Sequence, residues 1–221
     1  MRNIMHTKQD ISGIHHITAI ASSAAANLAF YEKVLGLRLV KQTVNFDDPY
    51  TYHLYYGDAQ GTPGTILTFF PWENLPQGKP GSGMVTAVAF AIPRQSIDFW
   101  VNRIDGAGIE TQTEERFGEP VLRFTDPHGL PLELVGVVTP PSTVYWKDGP
   151  VNETLAITGF HSATATLNRL EEMKGLLLDV MGMTLKEREN NRYRFRLDGR
   201  NAPGNIYDVI FEPEAPAGRP G

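Results

Sequence analysis

Short apolar runs alternate with one-sided helical patterns along this chain, and the alternation repeats. Gly13-Ile14-His15-His16-Ile17-Thr18-Ala19 returns in altered form as Gly159-Phe160-His161-Ser162-Ala163-Thr164-Ala165. Both are rich in β-branched and small residues, which predicts strands. Each precedes a helical pattern. Over 24–35, Leu28, Tyr31, Val34 and Leu35 recur at helix spacing, and over 167–181 Leu170, Met173, Leu177 and Met181 do the same. Gly36 and Gly182 follow, each 23 residues after the glycine that opens its segment, and each suits the left-handed position that ends a helix. Equal offsets in two segments of such different sequence mark a repeat.

Strands are predicted after each helix. In the first copy they cover 50–56, dense in aromatics, and 65–70, after the turn Gly61-Thr62-Pro63-Gly64; in the last copy they cover 192–197 and 205–211, separated by Pro203-Gly204. A middle copy has an apolar strand at 84–93 and an amphipathic stretch at 96–104 closed by Gly106 and Gly108. Strands at 120–124 and 130–135 flank its turn Asp126-Pro127-His128-Gly129. The chain is therefore expected to be an α+β protein of tandem βαβββ modules at 13–75, 83–138 and 159–212. The first two would form an N-terminal domain over 1–138, with 139–158, containing Pro140-Pro141, as a linker and 159–221 as the third module of an incomplete second domain. A βαβββ unit curls its strands around one side of a helix and leaves a concave face that needs a second module, so modules are expected in pairs. Module one exits through Gly78-Lys79-Pro80-Gly81 and module three through Gly218-Arg219-Pro220-Gly221. By this comparison a fourth module would begin shortly after Gly221.

Composition narrows the chemistry. Of 221 residues 41% are hydrophobic and 20% charged, with a net charge of −5 and no run of Lys and Arg, so nucleic acid and anionic membranes are poor partners. The absence of cysteine excludes disulfides, zinc–thiolate sites and thiol nucleophiles, leaving His, Asp, Glu and solvent to hold any metal. Residues 1–10 lack the apolar centre of a signal peptide, and no apolar run approaches the roughly 20 residues of a membrane-spanning helix. A soluble, cytoplasmic protein is expected.

The first and last strands of a module point side chains into the shared cavity. His15-His16 is the leading candidate there, because neighbours in a strand face opposite sides and one imidazole can take Fe, Mn or Zn. Two ordinary strand histidines, one bonded and one solvated, are the plainer alternative. The matching first-strand positions are Thr86 and Ala87, then His161 and Ser162. The matching last-strand positions are Thr68, Glu133 and Asp208. Glu133, Asp208 and His161 could meet between modules two and three, although hydrogen-bonded remnants explain them more simply. His53 is better read as structural, His128 as a turn residue, and Trp72, Trp100 and Trp146 as packing anchors. No Gly-rich phosphate loop or Gly-x-Ser-x-Gly elbow is present.

Taken together, Gly13-Ile14-His15-His16-Ile17-Thr18, Phe30-Tyr31, Gly36-Leu37-Arg38-Leu39-Val40-Lys41-Gln42-Thr43-Val44, Tyr52-His53-Leu54-Tyr55-Tyr56 and Gly61-Thr62-Pro63-Gly64-Thr65 resemble the hydroquinone-type ring-cleaving dioxygenases. These belong to the glyoxalase/bleomycin resistance/dioxygenase (vicinal oxygen chelate) superfamily. Arg116-Phe117-Gly118, Gly159-Phe160-His161-Ser162 and Phe211-Glu212-Pro213 continue the match over nearly the whole chain. The resemblance implies a four-module, extradiol-type dioxygenase that opens hydroquinone- or catechol-like aromatics with O2 and Fe(II), Mn(II) being the alternative. It implies His16 as a metal ligand and His15 and Thr18 as catalytic residues near substrate and O2. The other two ligands, a histidine and a glutamate, belong to module four, which pairs with module one. A homo-oligomer or a separate fourth-module polypeptide would then complete the site. Two other readings stand beside it: a non-catalytic small-molecule binder of the bleomycin-resistance type, and a glyoxalase-like isomerase acting as a dimer.

Overall fold

The structure is a computed structural model that describes residues 11–198 and 201–220. It is an α+β fold in which strand, helix and three strands recur three times. The first repeat comprises β1 (His16–Ala21), α1 (Ala24–Leu28), β2 (Arg38–Val44), β3 (Tyr52–Gly57) and β4 (Ile66–Pro71). The second comprises β5 (Met84–Pro93), α2 (Ile97–Asp105), β6 (Gln112–Arg116), β7 (Glu119–Thr125) and β8 (Pro131–Val137). The third comprises β9 (Phe160–Leu167), α3 (Leu170–Gly175), β10 (Thr184–Glu189), β11 (Arg192–Arg196) and β12 (Ile206–Phe211).

Three strands follow each helix, as the βαβββ expectation has it, although the patterns gave ranges for only two of them. The missed ones are β2, β6 and β10, each at the edge of its sheet. All of β10, and β6 apart from Arg116, is exposed, so no buried face imposes the alternation by which a strand is recognised.

The two helices that open the outer repeats match in detail. Each passes directly into a wider π-helical stretch, Ala29–Val34 after α1 and Leu176–Val180 after α3. Leu35 N–H donates to Phe30 and Met181 N–H to Leu176, then Gly36 and Gly182 turn the chain at φ 69° and 70°. Leu37 and Met183 are thereby aimed back into the cores, where both are buried. Arg103 of α2 closes the first helix, donating to the carbonyls of Val34 at 2.7 Å and Lys33 at 2.6 Å.

The strands form two sheets. One is four-stranded, in the order β1-β4-β3-β2. The other is eight-stranded, in the order β10-β11-β12-β9-β5-β8-β7-β6. Modules two and three thus share one sheet, joined by antiparallel pairing of their first strands β5 and β9. The equivalent edge of β1 is the end of its sheet, and among the described residues β1 is paired with β4 alone. One core links the first and second modules: Leu54, Tyr56, Leu67 and Phe69 on the inner face of the small sheet pack with Phe30 and Tyr31, and across to Phe90, Trp100, Ile104 and Leu122. A second core, with Leu170, Leu177, Phe195 and Val209, lies under the third module.

The segment joining modules two and three is packed rather than free. Val151 is buried in the first core, the Trp100 indole donates to Leu155 O at 2.9 Å, and Val144 exchanges hydrogen bonds with Ala59 and the Asp58 carboxylate. Glycines of different repeats also converge. A Cβ on Gly64 or Gly159 would lie 2.8 or 2.9 Å from Pro203 Cβ, and both residues have φ near +90°. A Cβ on Gly13 would likewise lie 2.9 Å from Pro203 O, and this close approach gives the repeated opening glycine its reason. The two exits pair as well, through reciprocal Lys79–Arg219 backbone hydrogen bonds of 2.8 and 2.9 Å.

Candidate functional site

Alternation along the small sheet sends Leu54, Tyr56, Leu67 and Phe69 into the core, so the residues between them face outward. The register aligns Thr18, Thr68, Tyr55 and Lys41 in one row across β1, β4, β3 and β2. His53 and Phe70 occupy the same face one step along. The His53 ring lies 4.1 Å from the Tyr55 ring and 4.0 Å from the Phe70 ring, and the Lys41 ammonium sits 5.2 Å from the Tyr55 centroid.

A directed chain of hydrogen bonds runs along this face. Tyr55 Oη is 2.8 Å from His53 Nδ1, His53 Nε2 is 3.0 Å from Thr68 Oγ1, and Thr68 Oγ1 donates to Thr18 Oγ1 at 2.9 Å. Proton counting fixes the order. Thr68 has one hydroxyl hydrogen and spends it on Thr18, so His53 donates from Nε2 and accepts from Tyr55 at Nδ1. Among the described residues the Thr18 hydroxyl has no acceptor for its own hydrogen, and Thr18 is exposed. Burial, then the charges of Lys41 and His16, lower the His53 pKa below the ordinary histidine value, which keeps the ring in the neutral form this chain requires. Sequence reasoning favoured a structural His53; only the cross-strand register brings it to Thr68, fifteen residues on.

His15 and His16, at the start of β1, are both exposed. They do not face opposite sides as expected of strand neighbours, because His15 precedes β1: their rings meet edge to face with Nδ1 atoms 3.1 Å apart, and among the described residues neither Nε2 has a partner. Thr18, His15 and His16 therefore share one end of the open face. Among the described residues no three His, Asp or Glu side chains are grouped there to hold a metal ion.

The candidate ligands Glu133, Asp208 and His161 do not meet between modules two and three and are held otherwise. Glu133 accepts from Arg116 at 2.8 and 3.0 Å, and Asp208 from Arg194 at 3.0 and 3.0 Å, each in bidentate fashion. His161 turns away to Ser162 Oγ at 3.0 Å and Glu119 Oε2 at 3.3 Å, and lines a different cavity from Glu133. Burial alone would raise the Glu119 carboxyl, but the hydrogen bond and charge of His161, with those of Arg194, hold it down to about 2. His128 sits in its turn and is bonded to Ser22 Oγ at 2.9 Å. Of the tryptophans, Trp100 is core, while Trp72 stacks on Phe70 beside the open face.

Against this geometry the comparisons with known proteins fall into place. The model of the glyoxalase/bleomycin resistance protein/dioxygenase superfamily matches residues 13–134. The chain belongs to that superfamily. Among curated members, MhqO of Bacillus subtilis, provisionally named a ring-cleaving dioxygenase, is 43% identical over 201 residues, covering 91% of this chain and 64% of the relative. The chlorohydroquinone/hydroquinone 1,2-dioxygenase of Sphingobium indicum is 34% identical over 218 residues, covering 96% and 68%. A crystal structure of a provisionally named dioxygenase from Bacillus subtilis superposes with a TM-score of 0.89 at 41% identity, covering 95% of this chain and 66% of that one. Glyoxalase I from Zea mays shares the fold alone, at 12% identity and a TM-score of 0.71 over 94% of this chain and 71% of its own. The chain thus spans about two thirds of the length of these superfamily relatives.

Proposed function

We propose that this chain is the larger part of a ring-cleaving, extradiol-type dioxygenase that opens hydroquinone- or catechol-like aromatics with O2 at the open face of β1. The observation that supports it most is the one-way hydrogen-bond chain ending at the exposed Thr18 hydroxyl beside His15 and His16. The names of the relatives point to the same reaction class.

The roles follow from the donors. Thr18 presents a hydroxyl hydrogen that stabilises a negatively charged oxygen, either a deprotonated ring hydroxyl or reduced O2. Neutral His53, braced by Tyr55, keeps Thr68 and hence Thr18 oriented. His15, with Nε2 free, can take or return a proton at the substrate. Fe(II), or Mn(II), would be held by His16 together with ligands from a fourth module added to the free edge of β1, as β9 adds to β5. Two histidines without a carboxylate do not make that site alone. The cytoplasm is the proposed compartment, in keeping with a chain free of cysteine.

The test is anaerobic Fe(II) loading, then metal analysis and oxygen uptake with hydroquinone or catechol. The chain would be measured alone and with a polypeptide carrying the remaining third of such a relative. Iron and uptake only with the added polypeptide, both abolished by His16→Ala, are expected. Iron retained by His16→Ala would overturn the ligand assignment. Saturable hydroquinone binding with no uptake in either form would favour the small-molecule binder, and iron bound by a dimer of this chain the isomerase-like reading.

A further inference from the structure

The eight-stranded sheet curls around a cleft of its own, and the cleft is divided. Ion pairs Arg116–Glu133 and Arg194–Asp208 fill its middle, and a cavity of about 650 Å³ opens on one side, lined by Glu133 together with Arg123, Arg192 and Gln112. The two carboxylates of the plug already have bidentate guanidinium partners. Arg123 and Arg192 do not share in that satisfaction. Arg123 reaches Glu114 only at 3.5 Å and Glu133 at 3.8 Å, with half its side chain exposed. Arg192 reaches Asp208 at 3.3 Å through Nη1, which also donates to Thr164 at 2.9 Å, while its side chain is only 13% exposed.

Arg192 is therefore a desolvated cation that shares its nearest carboxylate with another arginine, and burial with the neighbouring charge of Arg116 outweighs the support Asp208 and Glu133 give its charged form. An incoming anion relieves both. A guanidinium matches a carboxylate in a planar, two-bonded geometry, and two guanidiniums lining one cavity favour an acid over a neutral molecule. Glu110 also borders the cavity, and its charge selects against more than one negative group on the ligand. Ile109, Pro131, Leu132 and Ile210 add apolar patches to a wall otherwise dotted with threonine hydroxyls, room enough for the small hydrocarbon or aromatic body of an acid.

We infer that the cleft between modules two and three is a binding site for a small organic monocarboxylate, separate from the open face of β1. Arg123 and Arg192 take the carboxylate, and the apolar wall takes the body. The site needs no metal and stands whether or not the chain cleaves rings.

The probe is benzoate, followed by calorimetric titration of the metal-free chain, with benzamide as its neutral counterpart. Saturable benzoate binding is expected, weakened about tenfold or more by Arg123→Gln and by Arg192→Gln, the scale of one lost charge-assisted pair. His16→Ala should leave it unchanged. Arg192 is buried and its variant is open to misfolding, so half-exposed Arg123 carries the decision. Absence of saturation at about 10 mM benzoate, beyond the affinity such a pair supplies, overturns the inference. So does equal binding of benzamide, full affinity in Arg123→Gln, or loss of binding in His16→Ala.

Discussion

Thr68 and Tyr55 stand side by side on the open face of the small sheet. At the same register positions the large sheet carries Glu133 beside Arg123, and Asp208 beside Arg194. One backbone plan thus carries neutral hydroxyls in one place and opposite charges in the other. In the large sheet two modules face each other, and their carboxylates are buried with guanidinium partners. Asp208 and Glu133 have almost no exposed surface. In the small sheet, β1 has no neighbour on its far side among the described residues, and its histidines stay in contact with solvent. A closed module pair uses its inward positions to hold itself together, and an unpaired one leaves them available for chemistry.

Removing one partner of the plug is the harshest way to break this contrast. Arg194→Met leaves buried Asp208 with the single Arg192 contact and takes a partner from Glu119, and a loss of about 3–5 kcal/mol in urea unfolding is expected. The double variant Arg194→Met/Asp208→Leu should recover part of that loss, because the buried carboxylate is gone, although Arg192 and Glu119 each lose a partner. A double variant as unstable as the single one would mean that the pair holds no such role.

Acid sharpens the comparison at a smaller scale. The Glu119 carboxyl titrates at about 2 in the folded protein, below its ordinary value of 4.5. A depressed carboxylate contributes stability that is present above the unfolded value and is lost as pH falls toward the folded one. Unfolding free energy should therefore decline between about pH 4.5 and 2 by roughly 2–3 kcal/mol on account of this group. Glu119→Gln should flatten that decline, and an unchanged slope would remove Glu119 from the ledger of acid lability.

The smallest effect belongs to the open face. Thr68→Val removes a buried hydroxyl that bonds both His53 and Thr18, so a loss of about 1–2 kcal/mol is expected from chemical denaturation. The His53 imidazole resonances should shift in its nuclear magnetic resonance spectrum as Nε2–H loses its acceptor. Silence in both measurements would deny the directed chain.

Much of this molecule is written in local pattern. The repeat, the helices, the left-handed glycines at 36 and 182 and the inward residues of the inner strands depend on spacing within one module, so they can be read along the chain. The edge strands β6 and β10 cannot, because strands exposed on nearly every side chain carry no hydrophobic alternation. The candidate residues divide likewise. His15, His16 and Thr18 stand together in one motif and were visible as a group. His53, Tyr55 and Thr68 join them only through strand register, and Glu133, Asp208 and His161 look like ligands until their partners are known. Those partners, Arg116, Arg194 and Glu119, come from other strands, and in the case of Glu119 from another module. Sequence by itself determined which residues could do chemistry. Tertiary structure decided which were already engaged, because a buried charge must be paired and the pair is chosen by the packing of strands distant in the chain.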